Sequence, residues 1–501
     1  MPSPPHVVIV GAGPGGLASA LQLAHAGTRV TILEKQAWVG GRTATFTQAG
    51  FKFDIGPTFF LYPRVLQEIF ASVGLDLEAE IPMQRLDPQY RISFGGKERL
   101  DATPDIAAME AQIAKISPAD QGAFERYLTD NRQKLKYFRP ILESPFNSWR
   151  DLLSKDLLNA ARYLKPWRSL GRELESYFVD PRLAIAFSFQ SKYLGMSPFK
   201  CPSLFSILSY LEYEHGVFHP RGGCGQVSQR MGELARERGV EIRLDEAVTG
   251  FQFSGRRPTE VITDRGRYPA DAVVINADFA QAMQTLVPDS LRRRWTDRRI
   301  SRKKFSCSTF MLYLGIRGQY DNLPHHTIHL ADDYGRNLRQ IETDFQLPDA
   351  PSFYIQNASV TDDTLAPAGH SGLYVLVPVP HMHQNVQWDA ATIAKFRELT
   401  LDQLAREGLS DVRERIVTER IITPQIWEED FGLYRGATFN LAHNLRQMLH
   451  LRPHNRFEDL ENVYLTGGGT HPGSGLPVIY ESSRITCRQL LPQLGLGEAS
   501  R

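Results

Sequence analysis

The chain has few cysteines and no marked excess of charge of either sign. Its four cysteines (Cys201, Cys224, Cys307 and Cys487) lie far apart and form no Cys-x-x-Cys pair, which argues against a zinc site or a redox dithiol. We expect buried free thiols in a reducing compartment. Lys and Arg total 57 and Asp and Glu total 56, so we expect no nucleic-acid partner of the kind that needs a broadly cationic surface.

The sequence also lacks the signals of export and of membrane insertion. The first residues lead directly into an apolar strand, without the basic and apolar regions of a signal peptide. No uninterrupted apolar stretch reaches the roughly 18 residues that a spanning helix needs. We therefore expect a cytoplasmic protein that is soluble or attached to a membrane surface.

The beginning of the chain predicts a parallel βαβ unit. His6–Val10 and Arg29–Leu33 have the composition of buried strands, and Pro14–Ala26 between them has that of a helix. A length of 501 residues exceeds the size of a single core, so two subdomains are expected. The predicted fold class is α/β, a Rossmann-type domain with an interleaved α+β domain.

The order of elements along the chain predicts how these domains are divided. Helical spacing at Asp120–Tyr127 and Asp151–Leu164 contrasts with apolar strand patterns at Phe310–Gly315 and Leu373–Val379. The predicted division assigns residues 1–100, 216–300 and 441–501 to the Rossmann-type domain, 101–215 to a helical subdomain, and 301–440 to a β-rich domain.

A dinucleotide fingerprint carries the cofactor prediction. Gly11-Ala-Gly13-Pro-Gly-Gly16 follows an apolar strand and opens a helix. Gly11 permits a tight turn, Gly13 lets the backbone approach a pyrophosphate, and Gly16 lets the helix pack on the strand. The phosphates then lie at the helix N-terminus. Glu34, 18 residues after Gly16, is placed to accept hydrogen bonds from a ribose, and no Gly-Lys-Ser/Thr closes a P-loop.

A second glycine element favours FAD over NAD. Gly40-Gly41-Arg42 and then Asp54-Ile-Gly56-Pro57-Thr58 follow the acidic residue. The Arg42 guanidinium can contact phosphate or flavin, and a surface salt bridge is the alternative for it. This double signature resembles the flavin-containing amine oxidase and phytoene desaturase superfamily.

A second nucleotide fingerprint, which a built-in NAD(P)H site requires, is not found. Gly222, Gly223 and Gly225 follow His219-Pro220 rather than a strand, and their spacing is wrong. We expect the flavin to be reduced by substrate and reoxidised by oxygen or a quinone.

The end of the chain predicts a second contact with the flavin. A strand at Val463–Leu465 is joined by a glycine-rich loop to a helix at Val478–Leu491. Glycines let the backbone pass against a flat ring, and the helix N-terminus favours the negative charge of the reduced cofactor. The predicted contacts are Gly468, Gly469, Gly475, Leu476 and Pro477.

Several segments give a more specific resemblance, to the bacterial-type phytoene desaturases of the carotenoid desaturase family, over nearly the whole chain. They are Ala186–Gln190, Gly216–Gly223, Val360–Pro367, Tyr374–His381, Arg452–Arg456 and Gly469–Gly473. The resemblance implies FAD, peripheral membrane attachment and removal of hydrogens from a hydrophobic isoprenoid such as phytoene or dehydrosqualene. It also implies a backbone contact between Val248 and the adenine, for which a plain β-strand is the alternative.

Catalysis by such a protein needs a hydride acceptor and one base. Asp151, in Ser148-Trp-Arg-Asp151, matches an acidic position of the family and is the candidate base, although it is equally suited to be a helix N-terminal acid. Ser154 follows where the family has a basic residue. His325-His326 is not taken as a metal site, and no metal is expected.

A basic and aromatic segment predicts the membrane surface. Residues 131–172 contain ten Lys or Arg against three Asp or Glu, interleaved with aromatic residues. This composition is typical of a segment on anionic lipid, and a solvated helical face is the alternative. The alternatives for function are another carotenoid flavoenzyme (isomerase, saturase or terminal oxygenase), a flavin amine oxidase, or a flavin-dependent scaffold that binds polyenes without turning them over.

Overall fold

The structure, a computed structural model, describes residues 3–96 and 98–497 and contains two large sheets that face a common cavity. Within these residues the strands are β1 (His6–Val10), β2 (Arg29–Leu33), β3 (Thr45–Gln48), β4 (Phe51–Asp54), β5 (Phe60–Leu61), β6 (Met83–Arg85), β7 (Tyr90–Phe94), β8 (Glu98–Ala102), β9 (Val217–Pro220), β10 (Glu241–Arg243), β11 (Val248–Ser254), β12 (Arg257–Thr263), β13 (Arg267–Pro269), β14 (Ala272–Ile275), β15 (Ser308–Arg317), β16 (His326–Leu330), β17 (Phe353–Gln356), β18 (His370–Val379), β19 (Ile416–Ile422) and β20 (Val463–Leu465).

The helices alternate with these strands along the chain. They are α1 (Pro14–His25), α2 (Arg64–Ser72), α3 (Leu77–Glu80), α4 (Ile106–Ile116), α5 (Ala123–Leu142), α6 (Lys155–Leu164), α7 (Leu170–Leu174), α8 (Pro181–Ala186), α9 (Ile207–His215), α10 (Cys224–Glu237), α11 (Phe279–Leu286), α12 (Asp297–Ser301), α13 (Tyr334–Arg339), α14 (Ala390–Arg406), α15 (Val412–Arg415), α16 (Pro424–Glu429) and α17 (Leu476–Gln493). In the described part of the chain, no helix is both long and apolar enough to span a membrane.

The first large sheet is parallel, with the strand order β10-β2-β1-β14-β20. Val7 and Ile9 of β1 face a core shared with α1, α10 and α17, whereas Val8 and Val10 face α11 and the small sheet β11-β12-β13. Both faces are therefore covered, as expected for continuous apolar strands. This confirms the predicted α/β class with a Rossmann-type domain.

The second large sheet is mixed, with the order β19-β15-β18-β17-β16-β7-β8, and its β16–β7 pair is parallel. Residues alternate along β15, so that Phe310 and Leu312 pack against α14, whereas Met311 and Tyr313 face β4 and the cavity side. The sheet thus forms a wall opposite the parallel sheet.

The helices of residues 106–215 pack around their own aromatic core. Phe124, Tyr127, Phe187 and Tyr213 are among its buried side chains. The prediction of one continuous helix at 151–164 is wrong for its first residues. A 3₁₀ turn at Trp149–Leu153 precedes α6, and Ser154 separates the two because its hydroxyl accepts the Leu157 N–H at 3.3 Å and starts a new helix.

Candidate functional site

A cavity of about 700 Å³ lies between the two large sheets, at the carboxyl ends of the parallel strands. This edge of a parallel sheet is where ligands bind in doubly wound folds. The predicted cofactor residues that line the cavity are Gly11, Gly13, Glu34, Gly41, Arg42, Gly56, Pro57, Thr58, Val248, Gly468, Gly475, Leu476 and Pro477. Gly16 and Gly469 are not among the lining residues. Their contacts with a cofactor stay a prediction.

The N-terminal fingerprint packs too tightly for side chains. A Cβ on Gly11 would lie 2.6 Å from the Asn276 backbone oxygen, and one on Gly16 would lie 2.3 Å from the Gly11 oxygen. The Asn276 side chain donates a hydrogen bond to the Gly11 carbonyl at 3.0 Å and also lines the cavity. Asn276 is a site residue that the sequence argument missed, because a lone asparagine at a strand end carries no recognisable pattern.

Glu34 ends β2 with its carboxylate fixed by backbone donors. Its two oxygens accept hydrogen bonds from Ala12 N–H at 2.7 Å and Gln36 N–H at 2.9 Å. Burial raises the pKa of Glu34, which these hydrogen bonds partly offset. The carboxylate is thus held beside the glycine turn, at the cavity wall.

Arg42 points into the cavity, and among the residues that the structure describes it forms no ion pair. Its guanidinium donates to the Thr438 carbonyl. Burial lowers the pKa of Arg42, and the negative charge of the buried Asp278 carboxyl opposes this effect. Burial raises the pKa of Asp278 to about 6, against the opposing effect of hydrogen bonds and of Arg42. The surface salt bridge considered for Arg42 therefore does not describe its position, and its donors remain directed at the cavity.

The C-terminal loop reaches the cavity just before α17. The helix begins at Leu476, and its capping residue Gly475 has φ of 118°, a conformation that suits glycine. The N–H of Ser474 donates to Nε2 of His443 at 2.9 Å, and burial keeps the pKa of His443 well below its ordinary value. The turn at Ser474 is thus held by a neutral imidazole.

Arg452 also holds this loop through hydrogen bonds to its backbone. Its side chain is fully buried, and it donates to the carbonyls of Gly468 at 2.7 Å and Thr470 at 3.1 Å. It forms no ion pair with any other described residue, and burial lowers its pKa to about 9. Arg452 lies in one of the segments that carry the family resemblance, but sequence assigned it no role because arginine is usually exposed.

The other end of the cavity is lined by hydrocarbon. Phe138 and Leu142 of α5, Leu208 of α9, Phe205 and Met448 form this end. It is suited to a ligand without hydrogen-bonding groups, because its walls leave few polar atoms to be satisfied.

A polar cluster lies at the cavity wall, where Thr58 and Tyr354 are lining residues. Thr58 Oγ1 is 2.8 Å from the Tyr354 hydroxyl, which is 2.7 Å from Nδ1 of His326. The Phe59 ring stacks on His326 with centroids 4.0 Å apart. His325 and His326 are both buried, and burial lowers the pKa of each well below its ordinary value. Among the described residues no three His, Cys, Asp or Glu side chains form a metal site.

Asp151 lies in a helix cap. Its carboxylate accepts the Ser148 N–H at 2.7 Å, which completes a capping box at the turn 149–153. It is described by the structure but is not among the residues that line the cavity. Its geometry is that of a helix N-terminal acid, and a role as base stays a prediction.

Glu212 is a buried carboxyl behind the cavity wall whose pKa predicts a measurable pH effect. Tyr90 Oη donates to it at 3.0 Å and Gln190 Nε2 at 2.8 Å, and burial raises its pKa to about 7. A carboxyl whose pKa is raised on folding stabilises the protein below its unfolded pKa, and this contribution is lost as pH rises through 7. Glu212→Gln should therefore raise the free energy of unfolding at pH 8 by on the order of 2 kcal/mol, and Tm should rise with it. At pH 5 both should be unchanged.

The matched control is the same substitution at Glu173. Burial alone raises the pKa of Glu173, but Lys134, Lys165 and Arg168 lower it below its ordinary value. Glu173→Gln should therefore lower Tm at pH 8. Thermal unfolding monitored by circular dichroism at both pH values compares the two, and a pH-independent gain for Glu212→Gln would contradict the assignment.

Comparison with known proteins agrees with this geometry. Residues 14–491 match the family described as flavin containing amine oxidoreductase. A 4,4'-diapophytoene desaturase (4,4'-diapolycopene-forming) from Methylomonas sp. is 43% identical over 96% of this chain and 94% of that protein. An all-trans-zeta-carotene desaturase from Myxococcus xanthus is 40% identical over 98% of this chain and 94% of that protein.

Solved structures share the fold at low identity. An oxidoreductase from Methanosarcina mazei has a TM-score of 0.62 at 16% identity, covering 95% of this chain and 98% of that one. A putrescine oxidase bound to putrescine has a TM-score of 0.59 at 18% identity, covering 98% and 99%. These likenesses concern the architecture alone.

Proposed function

Because the chain belongs to the flavin-containing amine oxidoreductases and, within them, to the carotenoid desaturases, we propose that this FAD-dependent enzyme removes hydrogens from a long isoprenoid polyene, with dehydrosqualene and phytoene as candidates. The observation that carries this proposal is the continuous cavity. One part of it is lined by Gly11, Gly13, Gly41, Gly468 and Gly475, which we call the glycine cradle, and another part is lined by hydrocarbon. A polyene offers no hydrogen-bonding group and needs none there.

The residues of the cradle fit FAD. The close packing at Gly11 and Gly16 leaves backbone rather than side chains beside the pyrophosphate position, and Glu34 presents a fixed carboxylate to a ribose. Arg42 and the N-terminus of α17 both line the cavity, which supports their proposed contact with the flavin. Bound FAD supplies the hydride acceptor.

The contribution of the chain to the reaction is position and exclusion of water. The hydrocarbon walls would hold the polyene beside the cofactor site and keep solvent away from it. A proton must also leave the neighbouring carbon, and Asp151 remains the proposed acceptor. Oxygen or a quinone is the proposed final electron acceptor.

Peripheral attachment to the cytoplasmic side of a membrane brings the enzyme to its substrate. Exposed apolar side chains lie on the turn 149–153 and on α6, including Trp149 (60% exposed) and Leu158 (64% exposed). Leu157 and Ala160 of α6 pack into a cluster with Phe138 and Met448 of the cavity lining, and the turn 149–153 contacts α6. A polyene dissolved in lipid would then enter without crossing water.

Half of the ten cations in the basic segment predicted to meet the membrane are paired with acids. Five of its cations form ion pairs with acids, and Glu173 alone binds three of them. These pairs join Arg132 to Glu214, Arg139 to Glu143, and Lys134, Lys165 and Arg168 to Glu173. The apolar side chains rather than these charges support the attachment.

Turnover in liposomes tests the proposal. Purified FAD-loaded enzyme is mixed with liposomes containing dehydrosqualene or phytoene, under air or with an added quinone, and visible absorption is followed. We expect the absorption of longer conjugated products. If no polyene lengthens while an amine bleaches the flavin, the protein is an amine oxidase instead.

A further inference from the structure

The densest cluster of positive charge lies outside the segment that sequence linked to the membrane. Residues 292–304 contain eight Lys or Arg and one Asp. Arg292 pairs with Asp289 and Asp297, and Arg294 pairs with Glu458. The other six cations form no ion pair within residues 3–96 and 98–497. Such a concentration of uncompensated charge calls for an anionic partner.

Four of the eight cations, three of them without an ion pair in the described part of the chain, surround a depression in the surface. Arg294, Arg299, Arg302 and Lys303 line it together with Trp295, around a volume of about 310 Å³. The Lys303 ammonium lies 5.0 Å from the centre of the Trp295 ring, and the Arg294 guanidinium 5.4 Å from it. We call this depression the basic pocket.

The floor of the basic pocket is rigid. Trp295 is buried, and its indole N–H donates to Glu458 at 2.6 Å. The backbone N–H groups of Arg294 and Trp295 donate to the Asp459 carboxylate at 2.9 and 3.1 Å. Burial lowers the pKa of Lys303, and the repulsion of Arg294 and Arg299 lowers it further. The cations are thus held close together against their mutual repulsion, as in a site built for an anion.

The basic pocket adjoins exposed apolar residues. Arg294 donates to the His450 carbonyl, and Lys304 and Gln447 exchange hydrogen bonds at 2.8 and 2.9 Å. The turn that follows, Leu449–Leu451, contacts the turn 149–153. Leu451 and Trp149 on these turns are both exposed. Cations beside apolar side chains match the arrangement of phosphates above acyl chains in a lipid surface.

We propose that the basic pocket binds the phosphate of an anionic phospholipid and fixes the orientation of the enzyme on the membrane. This inference rests on the proposed membrane attachment and assigns its charged component to residues 294–303. A soluble phosphate shares the charge of the headgroup but would leave the neighbouring leucine and tryptophan in water.

The test is a vesicle-binding assay on the FAD-loaded enzyme. The triple variant Arg299→Gln, Arg302→Gln, Lys303→Gln should bind phosphatidylcholine vesicles that contain phosphatidylglycerol about 100-fold more weakly than the wild type, since each of the three cations contributes about fivefold near an anionic surface. Binding to pure phosphatidylcholine vesicles should be unchanged. Turnover of detergent-dispersed polyene should also be unchanged.

The control variant removes the same charge elsewhere. Arg236→Gln, Arg265→Gln, Lys395→Gln changes three exposed cations, on α10, in the turn before β13 and on α14, and it should bind the anionic vesicles within about threefold of the wild type. Equal weakening of both variants would overturn the basic pocket as a site, leaving only net charge.

Two further outcomes identify other anions. If inorganic phosphate raises the Tm of the wild type but not of the triple variant, while vesicle binding is equal, the pocket serves a soluble phosphate and the lipid assignment fails. Tight binding of RNA that the triple variant loses, again with equal vesicle binding, also overturns it. If the wild type binds neither vesicle, membrane attachment itself is wrong, whereas polyene oxidation in detergent would still stand.

Discussion

Replacing Gly13 with aspartate should strip FAD from the enzyme. The position lines the cavity at the start of α1, where a Cβ would lie 3.0 Å from the Asn276 side-chain nitrogen. The aspartate would also place a negative charge against the pyrophosphate. An unpaired charge buried in this way costs about 3–5 kcal/mol, so FAD affinity should fall by more than about 100-fold. The visible absorbance of the purified protein measures the flavin retained.

The matched control is Gly266→Asp. A Cβ there meets nothing closer than 4.0 Å, and the residue lies in the turn before β13, outside the cavity lining. This variant should keep its flavin. A Gly13→Asp protein that folds, as judged by circular dichroism, and remains as yellow as the control would refute the placement of the cofactor.

Replacing Arg452 with methionine should destabilise the C-terminal loop and weaken FAD binding with it. Methionine fills much of the space but leaves the carbonyls of Gly468 and Thr470 without their donors. Leaving a buried hydrogen-bond acceptor without its donor costs about 1–3 kcal/mol. We expect a Tm several degrees lower and faster loss of flavin on dilution. Excess FAD should restore part of the Tm, because it binds only the folded state.

Arg456→Met provides the control four residues away. Arg456 is exposed, so this substitution should change Tm and flavin retention little. Arg452→Lys keeps a positive charge but not the planar set of donors, and an intermediate result is expected. If the variants at 452 and 456 were indistinguishable, the buried guanidinium would not be what holds the loop.

Some strands of the fold could be predicted from the sequence because a short apolar run marks each of them. The predicted strands His6–Val10, Arg29–Leu33 and Val463–Leu465 match β1, β2 and β20 to the residue. Each is a short apolar run bounded by glycine or polar residues, so pattern and burial agree. The predicted helix at 151–164 was wrong because the spacing of apolar residues continues across Ser154, whereas the serine side chain starts a new helix.

The residues of the proposed cofactor site could be predicted where they belong to a local sequence motif. The glycines, Glu34 and Arg42 belong to such motifs. Asn276 and Arg452 do not, because their partners lie far away in sequence and are met only after folding. The pairing of the basic segment could not be predicted for a related reason, since Glu173 lies one residue beyond residues 131–172 and forms ion pairs with three of its cations only after folding. The contact of this segment with a membrane stays a prediction.

Anaerobic single turnover tests the central claim most directly. FAD-loaded enzyme is mixed without oxygen with liposomes that contain dehydrosqualene, and the flavin and polyene absorbances are recorded together. A desaturase should lose its oxidised flavin absorbance as the polyene gains one double bond per flavin, because two electrons leave the substrate for each double bond formed. Rearranged or unchanged polyene with flavin that stays oxidised would contradict desaturation and indicate an isomerase or a polyene-binding scaffold.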